Sequence, residues 1–380
     1  MNSKERIFRQ IEGTPVDHIP LIGGWVLGAR NIAAIAGITV EQYQSDPHGS
    51  VLAANHALGC DGLVPPAIPS PDNLDENHQG EVVEENFKDI EAEALLEYAE
   101  RIPDTEEQLL AERYNEKKAE DDIKALYEMH LRNTRGFTLI PNDWGISANF
   151  TLFAIYGYQA FLEAIAIYPE AVEKIFWESA VLARQTNRFH IEMIKKHDLP
   201  RMMFTGHDIC NQTGPMCSPK FLRESYWPHA KYALEPFVRE GIRLLHHCDG
   251  NVTPLIDDML DAGYTGFQGF QFECGVDPYD LAARRGPNGE RPLFMAGLSV
   301  ARTLPFGTPE DLKAEVDYFM DFTDGGKGLF LFTSNVVGIE VPPINLTTAY
   351  HHAASIDPSA WNAKKRAWPW SLQESKTLLS

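Results

Sequence analysis

A cluster of reactive side chains directly follows one apolar segment of the chain. Residues 242–245 are largely apolar, and they are followed without a break by His246, His247, Cys248 and Asp249 and then by a Gly-Asn turn. Imidazole, thiol and carboxylate groups transfer protons or bind metal ions in enzymes. A buried strand that ends in such groups at a glycine turn is typical of the catalytic end of a parallel α/β enzyme. This strand end is therefore the first candidate for a functional site.

The two-residue period of a β-strand divides the cluster into two pairs. Neighbouring side chains point to opposite faces, so a pocket receives either His247 with Asp249 or His246 with Cys248. The first pair suits acid–base chemistry or a metal that prefers oxygen ligands. The second pair is half of a zinc site, which needs at least one further ligand. The spacing alone does not choose between the two pairs.

The elements that must position this cluster recur along the chain. Eight short apolar segments are separated mainly by helical patterns, and several are continuously apolar, as expected of parallel strands buried on both faces. Eight repeats of strand and helix favour a closed (β/α)8 TIM barrel over an open sheet, built as one domain from residues 1–380. The eight segments are 18–23, 62–68, 137–142, 201–206, 242–248, 266–271, 292–297 and 328–335.

Two parts of the chain fall outside this repeat. Residues 72–135 are too long for a loop that follows a strand, and the stretch from Asp72 to Glu128 contains about twenty acidic and about six basic residues. We predict an acidic helical insertion there, after the second strand. Residues 357–380 form a C-terminal tail with a basic run and several tryptophans. We expect this tail to pack across the bottom of the barrel or against another subunit.

Composition and charge exclude several classes of partner. The chain has a formal net charge of −21 at pH 7, so nucleic acids and anionic membranes would be repelled. Five cysteines without a CxxC pair do not make a disulfide framework. The N-terminus lacks an apolar signal core, and no continuously apolar run reaches the roughly 18 residues that span a bilayer. We therefore expect a cytoplasmic protein that acts on a small molecule.

Polar and aromatic side chains collect where the other apolar segments end. The C-terminal ends of the strands form the active-site face of a β/α barrel. His207 and Asp208 follow the fourth segment, and together with His247 and Asp249 they are the predicted catalytic residues. The predicted substrate-binding residues are Trp25, Gln212, Trp144 and Asn335, and the aromatic residues Phe270 and Phe272 lie near the same strand ends.

Further motifs extend over most of the chain. Residues 6–8 and the Thr-Pro-Val-Asp-His-Ile-Pro run at 14–20 lead into the first strand, and 340–343 read Glu-Val-Pro-Pro. The residues at 206–219 and 247–252 surround the ends of the fourth and fifth strands. In these motifs the chain resembles the uroporphyrinogen decarboxylase superfamily, which contains the haem-pathway decarboxylase and the cobalamin-dependent methyltransferases. The resemblance implies a TIM barrel.

The sequence departs from both branches of this superfamily. The decarboxylases carry an arginine-rich segment after strand one, where this chain supplies only Arg30. The thiol-methylating enzymes bind zinc with a His-x-Cys pair and a later cysteine. Aligning the Gly-Asn turn puts His247 on the family histidine and Asp249 on the family cysteine. The resemblance therefore implies a variant site, with zinc as the candidate metal and His247, Cys248, Asp249 and Glu340 as its candidate ligands.

The methyltransferase branch fits these departures better, and it implies a function. We expect methyl transfer between a small substrate, such as a methoxylated aromatic or a thiol, and a corrinoid (a methylcobamide) carried by a partner protein. In this hypothesis His247 and Asp249 polarise the atom that bears or accepts the methyl group, while His207, Asp208 and Gln212 line the opposite wall. A homodimer is also expected. The alternatives are a decarboxylase or other lyase that acts on a carboxylate, and a non-enzymatic binding protein.

Overall fold

The computed structural model describes residues 1–74, 84–269 and 271–368. The strands in chain order are β1 (Ile22–Gly23), β2 (Gly62–Leu63), β3 (Thr138–Leu139), β4 (Met202–Gly206), β5 (Cys210–Asn211), β6 (Gly214–Pro215), β7 (Arg243–His247), β8 (Tyr264–Gln268), β9 (Leu293–Leu298) and β10 (Leu329–Thr333). Each of the eight apolar segments overlaps one strand. The remaining two strands, β5 and β6, form a short antiparallel hairpin that the sequence pattern does not predict.

Helices occupy most of the chain between the strands. Several begin where the sequence requires it: in Thr308-Pro309 the Thr308 hydroxyl accepts a hydrogen bond from the backbone N–H of Asp311, and proline takes the first helical position. The helices are α1 (Ser3–Glu12), α2 (Ala29–Ala36), α3 (Val40–Ser45), α4 (Pro47–Ala57), α5 (Glu93–Glu100), α6 (Glu106–Arg113), α7 (Glu116–Asn133), α8 (Phe153–Tyr156), α9 (Tyr158–Ile167), α10 (Pro169–Lys196), α11 (Pro219–Ser225), α12 (Trp227–Arg239), α13 (Ile256–Ala262), α14 (Pro278–Ala283), α15 (Thr303–Phe306), α16 (Pro309–Phe322) and α17 (Pro343–Ser355).

The predicted acidic insertion is helical where the structure describes it. Within 72–135 the chain forms α5, α6 and α7 between β2 and β3, after a short 3-10 turn at Glu84–Phe87. Residues 75–83 of the insertion lie outside the described residues. Long α10 packs against α5 and α7, so the insertion is joined to the rest of the fold through that helix.

Eight parallel strands form two sheets that meet at their edges. One sheet has the order β10-β9-β8-β7-β4, and the other has the order β1-β2-β3. Isolated parallel bridges connect Leu21 to Leu331 and Asn142 to Phe204. The start of β1 therefore lies beside β10, and the residues after β3 lie beside β4. The α/β class predicted from the sequence is confirmed.

Two separate apolar clusters show on which face of its strand each side chain lies. The smaller cluster draws residues from β1, β4, β7, β9 and β10, from the chain just after β2 and β3, and from α1, and it includes Phe204, Leu245 and Phe332. The larger cluster contains Leu244 and Cys248 together with most of the helix side chains. Because side chains alternate along a strand, His247 lies on the same face as Leu245, away from the helix layer.

The loop after β3 is held in place by α10. Asn187 is buried, and its side-chain N–H groups donate to the backbone carbonyls of Ile146 at 2.9 Å and Ala233 at 2.8 Å. We expect Asn187→Leu to lower the free energy of unfolding by about 2 kcal/mol, because two buried carbonyl groups would lose their donors. Urea denaturation measures this loss. Gln185→Leu, on a partly exposed position of the same helix, should change stability by no more than about 0.5 kcal/mol, and an equal loss in both variants would contradict the prediction.

The described part of the C-terminal tail runs along α14 and α16 and not across the bottom of the strands. The indole N–H of Trp361 donates to Asp321 at 2.9 Å, and Arg366 forms an ion pair with the same carboxylate. Trp368 packs on Phe272 with ring centroids 5.6 Å apart. The acidic side of α16 therefore attracts the basic tail. Trp370 lies outside the described residues.

None of the helices in the described ranges is both long and apolar enough to cross a membrane. The predicted cytoplasmic location and the predicted homodimer stay predictions.

Candidate functional site

The adjacent ends of β4 and β7 bring three acidic or basic side chains together. Asp208 follows β4, His247 ends β7, and Asp249 lies two residues further along the chain. Nε2 of His247 is 3.7 Å from Oδ1 of Asp208 and 3.9 Å from Oδ1 of Asp249. One ligand-type atom from each residue lies within 4.8 Å of the other two. We call Asp208, His247 and Asp249 the strand-end cluster; all three are among the predicted catalytic residues.

A glutamine from the next strand holds the imidazole of His247. Nδ1 of His247 is hydrogen-bonded to Oε1 of Gln268, the last residue of β8. The same side chain donates to the backbone carbonyl of Thr333 at 2.7 Å. Gln268 is not among the predicted site residues. It lies inside the predicted segment 266–271, and β8 ends at this residue, so a polar side chain within that segment is the signal that would have found it.

Asp249 is a half-buried carboxylate with one satisfied oxygen. Its Oδ2 accepts a hydrogen bond from the Asn335 side chain at 2.6 Å, whereas its buried Oδ1 has no hydrogen-bond partner. Burial raises the pKa of Asp249, and the nearby charge of Asp208 raises it further, while His247 and Asn335 lower it. The backbone N–H of Asp249 also donates to Oδ1 of Asp208 at 3.1 Å. Asn335, predicted to bind substrate, therefore positions one carboxylate of the cluster.

Two tryptophans flank the imidazole. The ring centroids of Trp25 and Trp144 are each 5.9 Å from that of His247, and both rings meet it nearly edge-on. Phe204 lies 5.5 Å from each tryptophan, below them in the smaller apolar cluster. Trp144 is 42% exposed, so it lies at the open side of the site. Both predicted tryptophans therefore lie beside His247, and their role in substrate binding stays a prediction.

The other reactive groups of the same strand ends face the helix layer. His246 packs against Tyr264 with ring centroids 4.5 Å apart. His207 is buried with Nδ1 3.2 Å from the hydroxyl of Tyr226, and burial lowers the pKa of His207 to about 4, so its ring is neutral near pH 7. The Cys248 thiol is buried, accepts the backbone N–H of Ile209 at 3.4 Å, and has a pKa raised by burial. The structure brings neither His207 nor Cys248 into the strand-end cluster.

The remaining predicted residues are spread around the site. Gln212 is exposed at the turn between β5 and β6, and Glu340 is exposed in the turn before α17. Among the described residues, the group with metal-ligand spacing contains Asp208, His247 and Asp249 and includes neither Cys248 nor Glu340. Phe270 lies outside the described residues.

The strand-end cluster offers donor atoms that suit a divalent metal ion. Ligand atoms around a tetrahedral zinc ion lie about 3.4 Å apart, close to the separations between Nε2 of His247 and the two carboxylates. The buried Oδ1 of Asp249 lacks a partner that such an ion would supply. One imidazole nitrogen and two carboxylate oxygens suit zinc and also metals that prefer oxygen.

The fold is similar to that of a methyltransferase from Methanosarcina mazei. The similarity covers 93% of this chain and 98% of the other, with a TM-score of 0.56 and 16% sequence identity. At this identity the similarity shows a shared fold. Comparison with known proteins gives no match to a protein family and no curated protein of similar sequence.

Proposed function

We propose that this chain is a methyltransferase related to the uroporphyrinogen decarboxylase superfamily. The observation that carries the proposal is the strand-end cluster, in which the buried imidazole of His247 faces two carboxylates between two tryptophan rings. The fold shared with the methyltransferase from Methanosarcina mazei supports it. The motif at 247–252, which resembles that superfamily, supports it as well.

The proposal includes a closed (β/α)8 barrel. The bridges at Leu21 and Leu331 and at Asn142 and Phe204 support closure, because they join the two sheets at both edges. The smaller apolar cluster supports it too, because most of its members come from strands of both sheets or from the residues just after them, and they would fill the interior of a barrel. The strand-end cluster would then lie at the C-terminal mouth of the barrel, where barrel enzymes have their active sites.

In this function the residues around His247 bind and orient a small substrate. A methoxylated aromatic would contact Trp25 and Trp144, because flat rings stack on or meet aromatic side chains favourably. Where no zinc ion is bound, Nε2 of His247 lies where it would accept the proton of a thiol acceptor. Asn335 keeps the carboxylate of Asp249 turned toward that nitrogen. A corrinoid presented by a partner protein, when bound, supplies the metal centre that gives or takes the methyl group.

Zinc is part of the proposal, with a ligand set that differs from the one the resemblance implies. Asp208, His247 and Asp249 would hold the ion, and Cys248 and Glu340 would not, because neither belongs to the strand-end cluster. When bound, zinc supplies Lewis-acid polarisation of a thiol or oxygen atom. His247 and the two carboxylates would then orient that atom toward the space between the tryptophans.

A lyase that acts on a carboxylate is the alternative, and the local charges disfavour it. Two carboxylates, Asp208 and Asp249, lie beside the imidazole, and they would repel a substrate that carries several carboxylates. The comparison is direct: purified protein is supplied with methylcobalamin and a thiol, with a methoxylated aromatic and reduced cobalamin, and with porphyrinogen carboxylates. Methylated or demethylated product supports the proposal, and decarboxylation alone would refute it.

Asp249→Asn tests whether methyl transfer depends on the strand-end cluster. We expect methyl transfer to fall by about 100-fold, because the amide removes one negative charge and offers N–H donors where an acceptor faces His247. The rate of cobalamin methylation or demethylation, followed by absorbance, measures the loss. Asp257→Asn, the same substitution at an exposed position of α13, should leave the rate within about twofold. Equal rates in the two variants would contradict the role of Asp249.

A further inference from the structure

The side chain of Gln268 is oriented without ambiguity by its partners. It is buried at the end of β8, and its Nε2 donates to the backbone carbonyls of Thr333 at 2.7 Å and Ser334 at 3.1 Å. A carbonyl oxygen only accepts hydrogen bonds, so the nitrogen of the amide must face these two groups. The amide oxygen, Oε1, must therefore be the atom that faces Nδ1 of His247.

This orientation fixes the proton on the imidazole. Because Oε1 of Gln268 also only accepts, Nδ1 of His247 must carry a proton and donate it. In a neutral imidazole the other nitrogen, Nε2, is then an acceptor with a free lone pair. That nitrogen is 3.7 Å from the carboxylate of Asp208 and 3.9 Å from that of Asp249, beyond hydrogen-bond distance. It faces the centre of the strand-end cluster.

We propose that Gln268 is the positioning residue of this site: it keeps the proton of His247 on Nδ1 and presents an unprotonated Nε2 to the ligand bound by Asp208 and Asp249. The inference rests on the proposed function for the identity of the substrate. Gln268 does not reach that substrate, because the oxygen and nitrogen of its amide are occupied by His247 and by the carbonyls of Thr333 and Ser334 at the end of β10. It acts through the orientation of His247, and it ties together β7, β8 and β10.

The first test reads the tautomer of His247 directly. In protein labelled with 15N in histidine, two-bond N–H correlation spectra at pH 8 distinguish a ring protonated on Nδ1 from one protonated on Nε2 or on both. The His247 signal is identified by its loss in His247→Gln. We expect the Nδ1-protonated form in the unaltered protein, and a ring protonated on Nε2 or on both nitrogens would overturn the proposal.

Two substitutions distinguish the effect of the hydrogen-bond acceptor of Gln268 from the effect of its side-chain volume. Gln268→Met keeps the volume but removes the acceptor, so the preference for the Nδ1-protonated form should be lost. Gln268→Glu, as a buried carboxylic acid, keeps an acceptor toward Nδ1 and a hydroxyl donor toward the carbonyl of Thr333, and it should retain that preference. A tautomer that is unchanged in Gln268→Met, or lost equally in both variants, would overturn the proposal.

A matched control exists at the other end of the strands. The buried side chain of Gln10 likewise donates to two backbone carbonyls, those of Gly326 and Leu329, each at 2.6 Å. Gln10→Met therefore removes hydrogen bonds of the same kind without touching His247. It should leave the His247 spectrum unchanged, and a change as large as that in Gln268→Met would show that general loosening of the fold is the cause.

Zinc binding gives a second readout that does not depend on catalysis. Partners that orient a ligating histidine typically contribute 10- to 100-fold to metal affinity. We therefore expect Gln268→Met to weaken Zn²⁺ binding by about 10- to 100-fold relative to Gln10→Met, measured by competition with a chelating dye. Equal affinity in the two variants would overturn the proposal. If the tautomer and affinity results hold but no methyl transfer is found, the proposed function fails while the role of Gln268 stands.

Discussion

His247→Ala is expected to lower the rate of methyl transfer by about 1,000-fold, within the range found for removal of a group that handles protons at an active site. The imidazole is the nitrogen donor of the strand-end cluster and lies between Asp208, Asp249 and the two tryptophans. Its loss should also remove measurable Zn²⁺ binding, because two carboxylates alone bind zinc weakly in water. Rates with methylcobalamin and metal content by mass spectrometry measure both effects. The circular dichroism spectrum should stay unchanged.

His246→Ala tests whether the strand presents the face assigned to it. His246 faces the helix layer and packs against the ring of Tyr264, so its loss should cost about 1–3 kcal/mol of stability and leave Zn²⁺ binding in place. The two substituted residues are neighbours in the sequence, but their side chains lie on opposite faces of the strand. Loss of zinc in His246→Ala with retention in His247→Ala would reverse the assignment and refute the site.

The general plan of the fold was predictable because apolar segments carry a strong signal. All eight segments overlap a parallel strand, since continuous burial on both faces demands continuous apolar residues. The sequence pattern did not predict the hairpin of β5 and β6. Residues 210–215 read Cys-Asn-Gln-Thr-Gly-Pro and contain no apolar run, and Cys210 and Pro215 pair across the hairpin through backbone geometry. The path of the tail also depended on the distant Asp321, which its own sequence does not reveal.

Only part of the site was predictable, because the two-residue period of a strand does not show which face points to the pocket. Alternation left His247 with Asp249 and His246 with Cys248 as equal choices, and the packing of neighbouring side chains decided between them. Gln268 shows a different limit. Its partners at Thr333 and Ser334 are 65 and 66 residues away along the chain, so its orientation follows from the tertiary fold alone.

Two buried carboxylates lie near the site without entering it. Oγ of Ser299, at the end of β9, donates to Glu273, and the backbone N–H of Ser299 donates to Glu315 at 3.1 Å. Burial raises the pKa of both carboxyl groups, and for Glu315, which is fully buried, it raises the pKa to about 8. The side chain of Thr303 opposes this shift, and the charge of Glu273 adds to it. Near neutral pH the folded protein therefore holds a proton on Glu315 that the unfolded chain releases.

This difference makes Glu315→Gln a stabilising substitution at high pH. Between pH 4.5, the ordinary pKa of a glutamate side chain, and about pH 8, the folded state binds one more proton at this position than the unfolded state. Stability therefore falls as pH rises, by about 1.4 kcal/mol per unit and at most about 5 kcal/mol over the whole interval. Glutamine stays neutral at every pH and does not contribute this loss. We expect Glu315→Gln to match the unaltered protein at pH 4.5 and to exceed its stability by several kcal/mol at pH 9, which urea denaturation at the two pH values measures.

The quantity to measure is the difference in the free energy of unfolding between Glu315→Gln and the unaltered protein, because the other titrating groups contribute equally to both. Glu310→Gln, at an exposed position in the first turn of the same helix, should change stability by less than about 1 kcal/mol at either pH. If Glu315→Gln were less stable than the unaltered protein at pH 9, Glu315 would be ionised in the folded state. Its carboxylate would then be stabilised by a positive partner strong enough to outweigh burial, and Arg302, whose charge acts on the adjacent Glu273, would be the residue to replace next.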